Sequence, residues 1–141
     1  MIPNGNLMIF ASKASKVIDE NVSEVQEKYG LCKIDFQILL YLDNSEGKDT
    51  ASDINDLGIF TKGHISQSIS RLEQRGFVDP FRDENDKRFI HLAVTPRAQP
   101  AIAEVKEALE NAQKTFFKDF SATDMKQMDD YFVLITKNIE C

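Results

Sequence analysis

The segment from residue 61 to residue 97 constrains the fold more than any other, because a short amphipathic helix leads directly into a pair of strands. Thr61 is the predicted N-cap of this helix, because its hydroxyl can accept a hydrogen bond from an N–H of the first turn. Ile65, Ile69 and Leu72 recur at i, i+4 and i+7 and so form one apolar stripe. Gly76 predicts the left-handed residue that ends the helix.

The opposite face of the predicted helix, residues 61–75, is polar. Such a face suits the major groove of DNA, where arginine reads guanine and glutamine reads adenine. Considered alone, it fits an ordinary solvated helix face better than a DNA-reading one. Its side chains are short, polar or cationic and include no carboxylate: Gly63, His64, Gln67, Ser70, Arg71 and Gln74.

Two strands follow, predicted over residues 77–82 and 88–95, with a charged turn over residues 83–87. In the second strand Ile90, Leu92 and Val94 alternate with other residues, which predicts one buried face. Pro80 marks an edge position or a bulge, because it has no N–H to donate. A helix followed by such a hairpin is the winged form of the helix-turn-helix, in which the helix enters the major groove and the wing reaches the minor groove or backbone.

The sequence resembles the MarR family of transcriptional regulators over essentially its whole length. The resemblance rests on the run Leu-Glu-Gln-Arg-Gly-Phe-Val at 72–78, the wing pattern Asp-x-x-Asp-Lys-Arg at 83–88 and Leu-x-Val-Thr at 92–95. Residues 31–42 and 50–57 resemble the two preceding helices of the family. The chain departs from the family at Ala98, where glycine is frequent, and at Asn85, where some members carry an extra arginine. A third departure is Pro100, which predicts a kink in the next helix or a later helix start near Gln99.

The expected fold is mostly α with a small β wing (α+β), in one domain of residues 1–141. Residues 31–95 form the predicted DNA-binding lobe, and residues 1–30 and 96–141 form the predicted dimerisation helices. Two later helices carry 3-4-3-4 apolar seams and are expected to form an antiparallel pair, which buries its surface with the first helix against a second subunit. A monomeric three-helix bundle is the alternative. The seams are Ile102, Val105, Leu109, Ala112 and Phe116, then Met125, Met128, Phe132, Ile135 and Ile139.

The resemblance implies a homodimeric repressor that binds double-stranded DNA at a pseudo-palindrome, with half-sites about 10–10.5 bp apart or a multiple of that. In the wing, Asp83 and Asp86 are expected to hold the basic side chains by hydrogen bonds. The candidate DNA-binding residues are Thr61, Lys62, His64, Gln67, Ser70 and Arg71 in the recognition helix and Arg82, Lys87 and Arg88 in the wing.

The charge distribution leaves a second function open. The chain has a net charge of −6, but residues 61–97 hold seven Lys/Arg and five Asp/Glu, a local balance of +2. This small excess predicts moderate DNA affinity with a clear salt dependence. The alternative is a winged-helix protein-interaction module, similar to an anti-repressor, that does not bind DNA directly.

The resemblance also implies that a small aromatic or anionic effector releases the protein from DNA. The effector would bind in a cleft between the dimerisation helices and the DNA-binding lobe. No residue identifies that ligand, and aromatic residues at these spacings also fit plain core packing. The aromatic candidates are Phe10, Phe36, Tyr41, Phe60 and Phe77.

Other activities find little support in the sequence. The two cysteines make no disulfide framework, and Cys32 is expected to be buried and inert beside Leu31 and Ile34. His64 and His91 stand in no metal-ligand spacing, and His91 is placed on the outer face of its strand. We therefore expect no enzyme activity, cofactor or metal, with a metal sensor as a minor alternative. No stretch approaches the roughly 20 apolar residues of a membrane helix, so a cytoplasmic location is expected.

Overall fold

Six α-helices and one antiparallel ribbon make up the computed structural model, which describes residues 4–140. Cys141 lies outside the described residues. The elements in chain order are α1 (Asn4–Tyr29), α2 (Lys33–Asp43), α3 (Ala51–Asp56), α4 (Lys62–Gln74), β1 (Val78–Arg82), β2 (Ile90–Val94), α5 (Gln99–Phe116) and α6 (Ala122–Ile139). A 3-10 turn, Pro96–Ala98, stands before α5.

Capping boxes formed by a hydroxyl residue and an aspartate three positions later begin α3 and α6. At α3 the Thr50 hydroxyl accepts from the Asp53 N–H at 3.1 Å, and the Asp53 carboxylate accepts from the Thr50 N–H at 3.0 Å. Ser121 and Asp124 make the same reciprocal pair at α6, at 3.1 and 2.9 Å. Each box satisfies backbone N–H groups that a helix start would otherwise leave unpaired.

Helices α2, α3 and α4 and the ribbon together form the head of the molecule. Its core lies where the three helices meet the ribbon. Its most deeply buried apolar side chains come from each of these elements and are almost fully removed from solvent: Ile38, Leu39, Ile54, Leu72 and Val78. Burying a side chain of this size stabilises the fold by about 1.5–3 kcal/mol relative to exposing it. The head therefore holds α4 on a substantial core.

The long helices α1 and α5 pack side by side. Alanines of α5, including Ala108 and Ala112, are buried and let the helices approach closely, while Lys28 of α1 bonds to Glu104 of α5 at 2.5 Å. Pro100 does not kink α5. The chain after Thr95 forms the 3-10 turn, and α5 begins at Gln99. Pro100 therefore falls in the first turn of α5, where a missing N–H costs no helical bond.

The ribbon is shorter than predicted, and its buried face is incomplete. Val78 pairs with Val94 and Arg82 with Ile90, so Phe77 and Phe89 lie outside the strands. Leu92 is buried and Val94 half-buried, but Ile90 is 46% exposed. The alternation of residues in the second strand predicted that Ile90 is buried, and this prediction was wrong. Ile90 pairs with Arg82 at the end of the ribbon next to the wing turn, away from the core.

Helix α6 does not form the predicted antiparallel pair with α5. None of its described residues is buried, and Ile139 is 77% exposed. The seam of α5 is instead largely buried in the core that α1 shares. Residues 117–121 join α5 to α6. In this link the ring of Phe117 makes edge contacts with the rings of Phe116 and Phe120. The periodicity identified an apolar face correctly but not what covers it.

The five aromatic candidates for an effector cleft do not converge on one cavity. Phe36 and Phe77 are buried in the core, with Tyr41 and Phe60 packed against it, whereas Phe10 is exposed on α1. No described helix has both the length and the apolar character needed to cross a membrane.

Candidate nucleic-acid interface

Helix α4 presents its polar face from a fixed position on the head. The Thr61 hydroxyl accepts from the His64 N–H at 3.1 Å, which makes Thr61 the N-cap that the sequence predicts. Ile65, Ser68 and Leu72 are buried on the inner side of the helix. At the other end Gly76 adopts φ +73°, and its carbonyl accepts from the Thr95 hydroxyl at 2.6 Å.

Most of the predicted recognition-helix residues share the exposed face. Ser66, which the sequence analysis missed, is exposed as well. The spacing of Lys62, Ser66 and Ser70 at i, i+4 and i+8 could have identified it. A groove of about 610 Å³ between α3 and α4 is lined by these three residues together with Ala51, Ser52, Asn55, Ile65, Ile69 and Glu73. The exposed residues predicted to bind DNA are Thr61, Lys62, His64, Gln67 and Ser70.

Arg71 differs from the other predicted contacts because it is bound to the protein. Its Nε lies 3.0 Å and its Nη2 2.9 Å from oxygens of the buried Asp35 carboxylate, and its side chain is 38% exposed. The Ser68 hydroxyl and the Cys32 N–H donate to the same carboxylate at 2.6 and 2.8 Å. Arg71 therefore joins α4 to α2, and contact with a base remains a prediction.

These bonds decide the charge of Asp35. Burial raises the pKa of this carboxyl, but the bonds from Arg71, Ser68 and Cys32 outweigh burial and hold the pKa below its usual value. The pKa of Arg71 is raised by the same pair. Both groups are consequently ionised at neutral pH.

Cys32 is exposed, so the expectation that it is buried was wrong. The residue is the N-cap of α2, and this position faces solvent although Leu31 beside it is buried. Its sulfur lies 3.5 Å from Arg71 Nη2. Apolar neighbours in sequence do not bury a residue at a helix start, where the chain changes direction.

The wing turn is organised by its two aspartates. Asp86 binds the Arg88 guanidinium, with Nη2 at 2.7 Å, and this pairing lowers the pKa of Asp86. Among the described residues Asp83 makes no bond to Arg82, Lys87 or Arg88, and the basic side chain that it bonds is His91. The Oδ1 of Asp83 accepts from the N–H groups of Asn85 and Asp86 at 2.8 and 2.9 Å and so shapes the turn. Arg82 donates to the Lys87 carbonyl at 2.9 Å.

His91 lies between two carboxylates, a position that the sequence analysis missed. Nδ1 contacts Asp49 and Nε2 lies 2.8 Å from Asp83, while Phe81 stacks on the ring with centroids 5.1 Å apart. The expectation of a histidine on an outer face was wrong, because Asp49 reaches this edge from 42 residues away. No sequence signal links the two residues. In residues 4–140 no group of three or more His, Cys, Asp or Glu is placed to hold a metal ion.

Comparisons with known proteins agree with this architecture. Residues 31–98 match the family described as a winged helix DNA-binding domain. In fold, the chain is similar to a MarR transcriptional regulator from Methanosarcina mazei, with a TM-score of 0.82, 18% identity and 96% of each chain covered. The chain therefore has the winged-helix fold of MarR transcriptional regulators.

Curated relatives of the chain are named transcriptional regulators. It is 28% identical over 90 residues to the HTH-type transcriptional regulator BilQ of Clostridioides difficile, a match that covers 64% of the chain and 60% of BilQ. It is 21% identical over 130 residues to SarZ of Staphylococcus epidermidis, covering 90% of the chain and 84% of SarZ. The expectation that the chain is not an enzyme is thereby confirmed.

A further structural neighbour was solved with nucleic acid. This MarR family regulator from Listeria monocytogenes is complexed with a 26mer DNA, and it shares 16% identity and a TM-score of 0.79 over 95% of the chain and 88% of its own length.

Proposed function

We propose that this protein is a member of the MarR family that represses transcription by binding a pseudo-palindromic DNA site as a homodimer. The observation that carries the proposal is the exposed polar face of α4, held on a buried core beside a wing with three basic residues. The Listeria monocytogenes neighbour complexed with DNA supports the same use of this fold.

In this proposal α4 enters the major groove. Gln67 has the amide that pairs with adenine, and His64 and Ser70 can donate to or accept from base edges. Lys62, at the N-terminal end of the helix, is suited to a phosphate. Thr61 caps the helix and can add a second phosphate contact. Arg71 keeps a place in the proposed set, with its orientation fixed by Asp35.

The wing would lie at the neighbouring minor groove or backbone. Arg82, Lys87 and Arg88 supply its positive charge, and the side chain of Arg88 is 86% exposed although Asp86 holds it. Such an exposed ion pair is weak in water, so a phosphate can compete for the guanidinium. Asp86 would then act as a guide that keeps Arg88 on the wing surface.

The proposed dimer follows from apolar surface that the described subunit leaves uncovered. Exposed large apolar side chains are concentrated at the start of α1 and along α6: Leu7, Met8, Ile9, Phe10, Tyr131, Phe132, Val133, Leu134, Ile135 and Ile139. Contiguous apolar patches of this kind mark interaction sites. A second copy is the proposed occupant, because reading a pseudo-palindromic site requires two α4 helices, about 34–36 Å or one turn of DNA apart.

Release by a small aromatic or anionic effector belongs to the proposal through the family resemblance alone. The aromatic residues first considered are distributed through the core, so a cleft would have to form at the dimer interface. The domain division proposed here places the lobe at residues 31–95 and the dimerisation helices at residues 1–30 and 96–141.

A protein-binding role without DNA is the second candidate. It is favoured by the carboxylate partners of two expected DNA contacts, since Arg71 is bound to Asp35 and Arg88 to Asp86. Glu73 in the α3–α4 groove and the net charge of −6 also oppose phosphate.

Selection from a pool of random duplexes at two salt concentrations separates these candidates. The DNA proposal predicts a recovered inverted repeat whose affinity falls steeply with salt. Lys62→Ala should weaken binding, whereas Lys126→Ala, which removes the same charge from an exposed position on α6, should not. If no sequence is enriched and no duplex is retained at low salt, the protein-binding candidate is favoured.

A further inference from the structure

His91 connects the wing to a part of the head that is distant in sequence. Asp49 lies in the loop between α2 and α3, and Asp83 lies in the wing turn, and both carboxylates bond the same imidazole ring. Backbone contacts join the same two segments. The Leu92 N–H donates to the Asp49 carbonyl at 3.0 Å, and Thr50 forms an isolated β-bridge with His91. The ring is therefore a cross-link between loop and wing.

The geometry specifies the protonation state that makes this cross-link. A neutral imidazole has one N–H donor and one acceptor nitrogen, whereas an ionised carboxylate can only accept. Both ring nitrogens of His91 face carboxylates, so both bonds form together only when the ring is a cation. Loss of one proton leaves a nitrogen lone pair facing a carboxylate oxygen, which is repulsive.

The effect of the ring extends into the wing turn through Asp83. One oxygen of Asp83 bonds His91, and the other accepts from the N–H groups of Asn85 and Asp86. Asp86 in turn holds Arg88. The position of the basic wing side chains relative to α4 therefore depends on a continuous series of bonds that starts at Asp49.

We propose that His91, as an imidazolium held between Asp49 and Asp83, is a positioning residue for the wing, and that wing-dependent DNA binding weakens when His91 loses its proton. This rests on the proposed DNA-binding function. His91 touches no DNA in this account and acts through Asp83 and the wing turn.

The direction of the pH dependence follows from the surroundings of the ring. Bonds to Asp49 and then Asp83 raise the pKa of His91 above its usual value, against an opposing effect of burial, and the bond from His91 lowers the pKa of Asp83. A raised histidine pKa means that the cross-link is complete below about pH 6.5 and is lost as the pH rises through the raised value. The other charged groups around the ring are Arg82 and Glu84 of the wing.

Proton NMR of the histidine rings tests the cross-link without DNA. Comparison with His91→Gln assigns the His91 signal, since His64 is the only other histidine. The signal should titrate above about pH 6.5. Asp49→Asn and Asp83→Asn should each move its midpoint down, whereas Asp79→Asn, an exposed aspartate of β1, should move it much less. A His91 midpoint at or below the value of a free histidine would overturn the proposal.

Affinity for the selected duplex between about pH 6 and pH 9 tests the consequence. Wild-type affinity should fall several-fold with the midpoint found by NMR, His91→Gln should be weak and flat across this range, and Asp79→Asn should keep the wild-type profile. Circular dichroism confirms that each variant is folded. A His91→Gln variant with the wild-type profile would contradict a positioning role. Absence of DNA binding at every pH would overturn the proposed function and this role with it, while the NMR midpoint would still show whether the cross-link forms.

Discussion

Arg71 turns its guanidinium inward to Asp35, although it lies on the helix proposed to read DNA. Nε and Nη2 each lie within 3.1 Å of the carboxylate, which is fully buried at the start of α2. The pair spans 36 positions in sequence and fixes how α4 sits on α2. An arginine that would be assigned to base reading from its position alone thus has a structural role.

Replacing Arg71 should therefore affect stability before it affects DNA. Arg71→Ala leaves the Asp35 carboxylate buried without its cation, and such a change costs about 3–5 kcal/mol. The matched control is Arg75→Ala, which removes only an exposed bond to the Gly30 carbonyl and should cost about 0.5–1.5 kcal/mol. Urea denaturation measures both. Equal costs for the two variants would show that the Asp35 pair contributes no more than a surface bond.

Asp35 should also contribute to acid unfolding. Its pKa is below the usual value in the folded protein, so its stabilising effect is present above about pH 4 and is lost as the pH falls through the lowered pKa. Asp35→Asn should be less stable at pH 7 and should lose less stability on acidification than wild type. Asp79→Asn is the control at an exposed aspartate. Urea midpoints from pH 7 to pH 3 that fall equally in wild type and Asp35→Asn would rule out this contribution.

The exposed seam of α6 makes the dimer testable. Ile135→Lys places a charge on the apolar face, and two-fold symmetry repeats the change in both subunits. The expected cost is roughly 3–6 kcal/mol of association free energy, from about 1.5–3 kcal/mol for each buried side chain. Asp130→Lys puts the same residue on α6 away from the seam and should leave the dimer intact. Sedimentation equilibrium gives the masses, and an unchanged dimer in Ile135→Lys would exclude this face.

The wing should contribute charge rather than sequence preference. Lys87→Ala is expected to weaken binding to all duplexes alike and to reduce the slope of log affinity against log salt by about 1. Glu84→Gln removes an opposing charge from the same turn and should not reduce affinity. Fluorescence anisotropy at several salt concentrations measures the slopes. A Lys87→Ala variant that changes the preferred sequence would instead indicate base contact by the wing.

Local signals in the sequence predicted the elements well. The helix cap at Thr61 depends on a residue three positions later and forms as predicted, and the caps at Thr50 and Ser121 have the same spacing. What the sequence did not reveal depends on distant partners. The Asp49 bond to His91 and the Asp35 pair with Arg71 join residues that no periodicity relates.

The apolar seam of α6 shows the same limit in another form. Its 3-4-3-4 spacing correctly indicated a face to be covered, but spacing does not state which surface covers it. The nearest helix in sequence, α5, was the natural choice, yet its own seam is buried in the core shared with α1. A face completed by a second chain cannot be distinguished by periodicity from one completed within the subunit.

The measurement that tests the central claim most directly is duplex selection repeated with Gln67→Ala. If α4 reads the major groove of a symmetric site, wild type should recover an inverted repeat with half-sites about 10–10.5 bp apart. Gln67→Ala should lose preference at one pair of symmetry-related positions, at a cost of about 1–3 kcal/mol for the base that Gln67 contacts. An identical motif from both proteins would exclude base reading by Gln67, and the absence of any motif from wild type would contradict the claim that this protein reads DNA through α4.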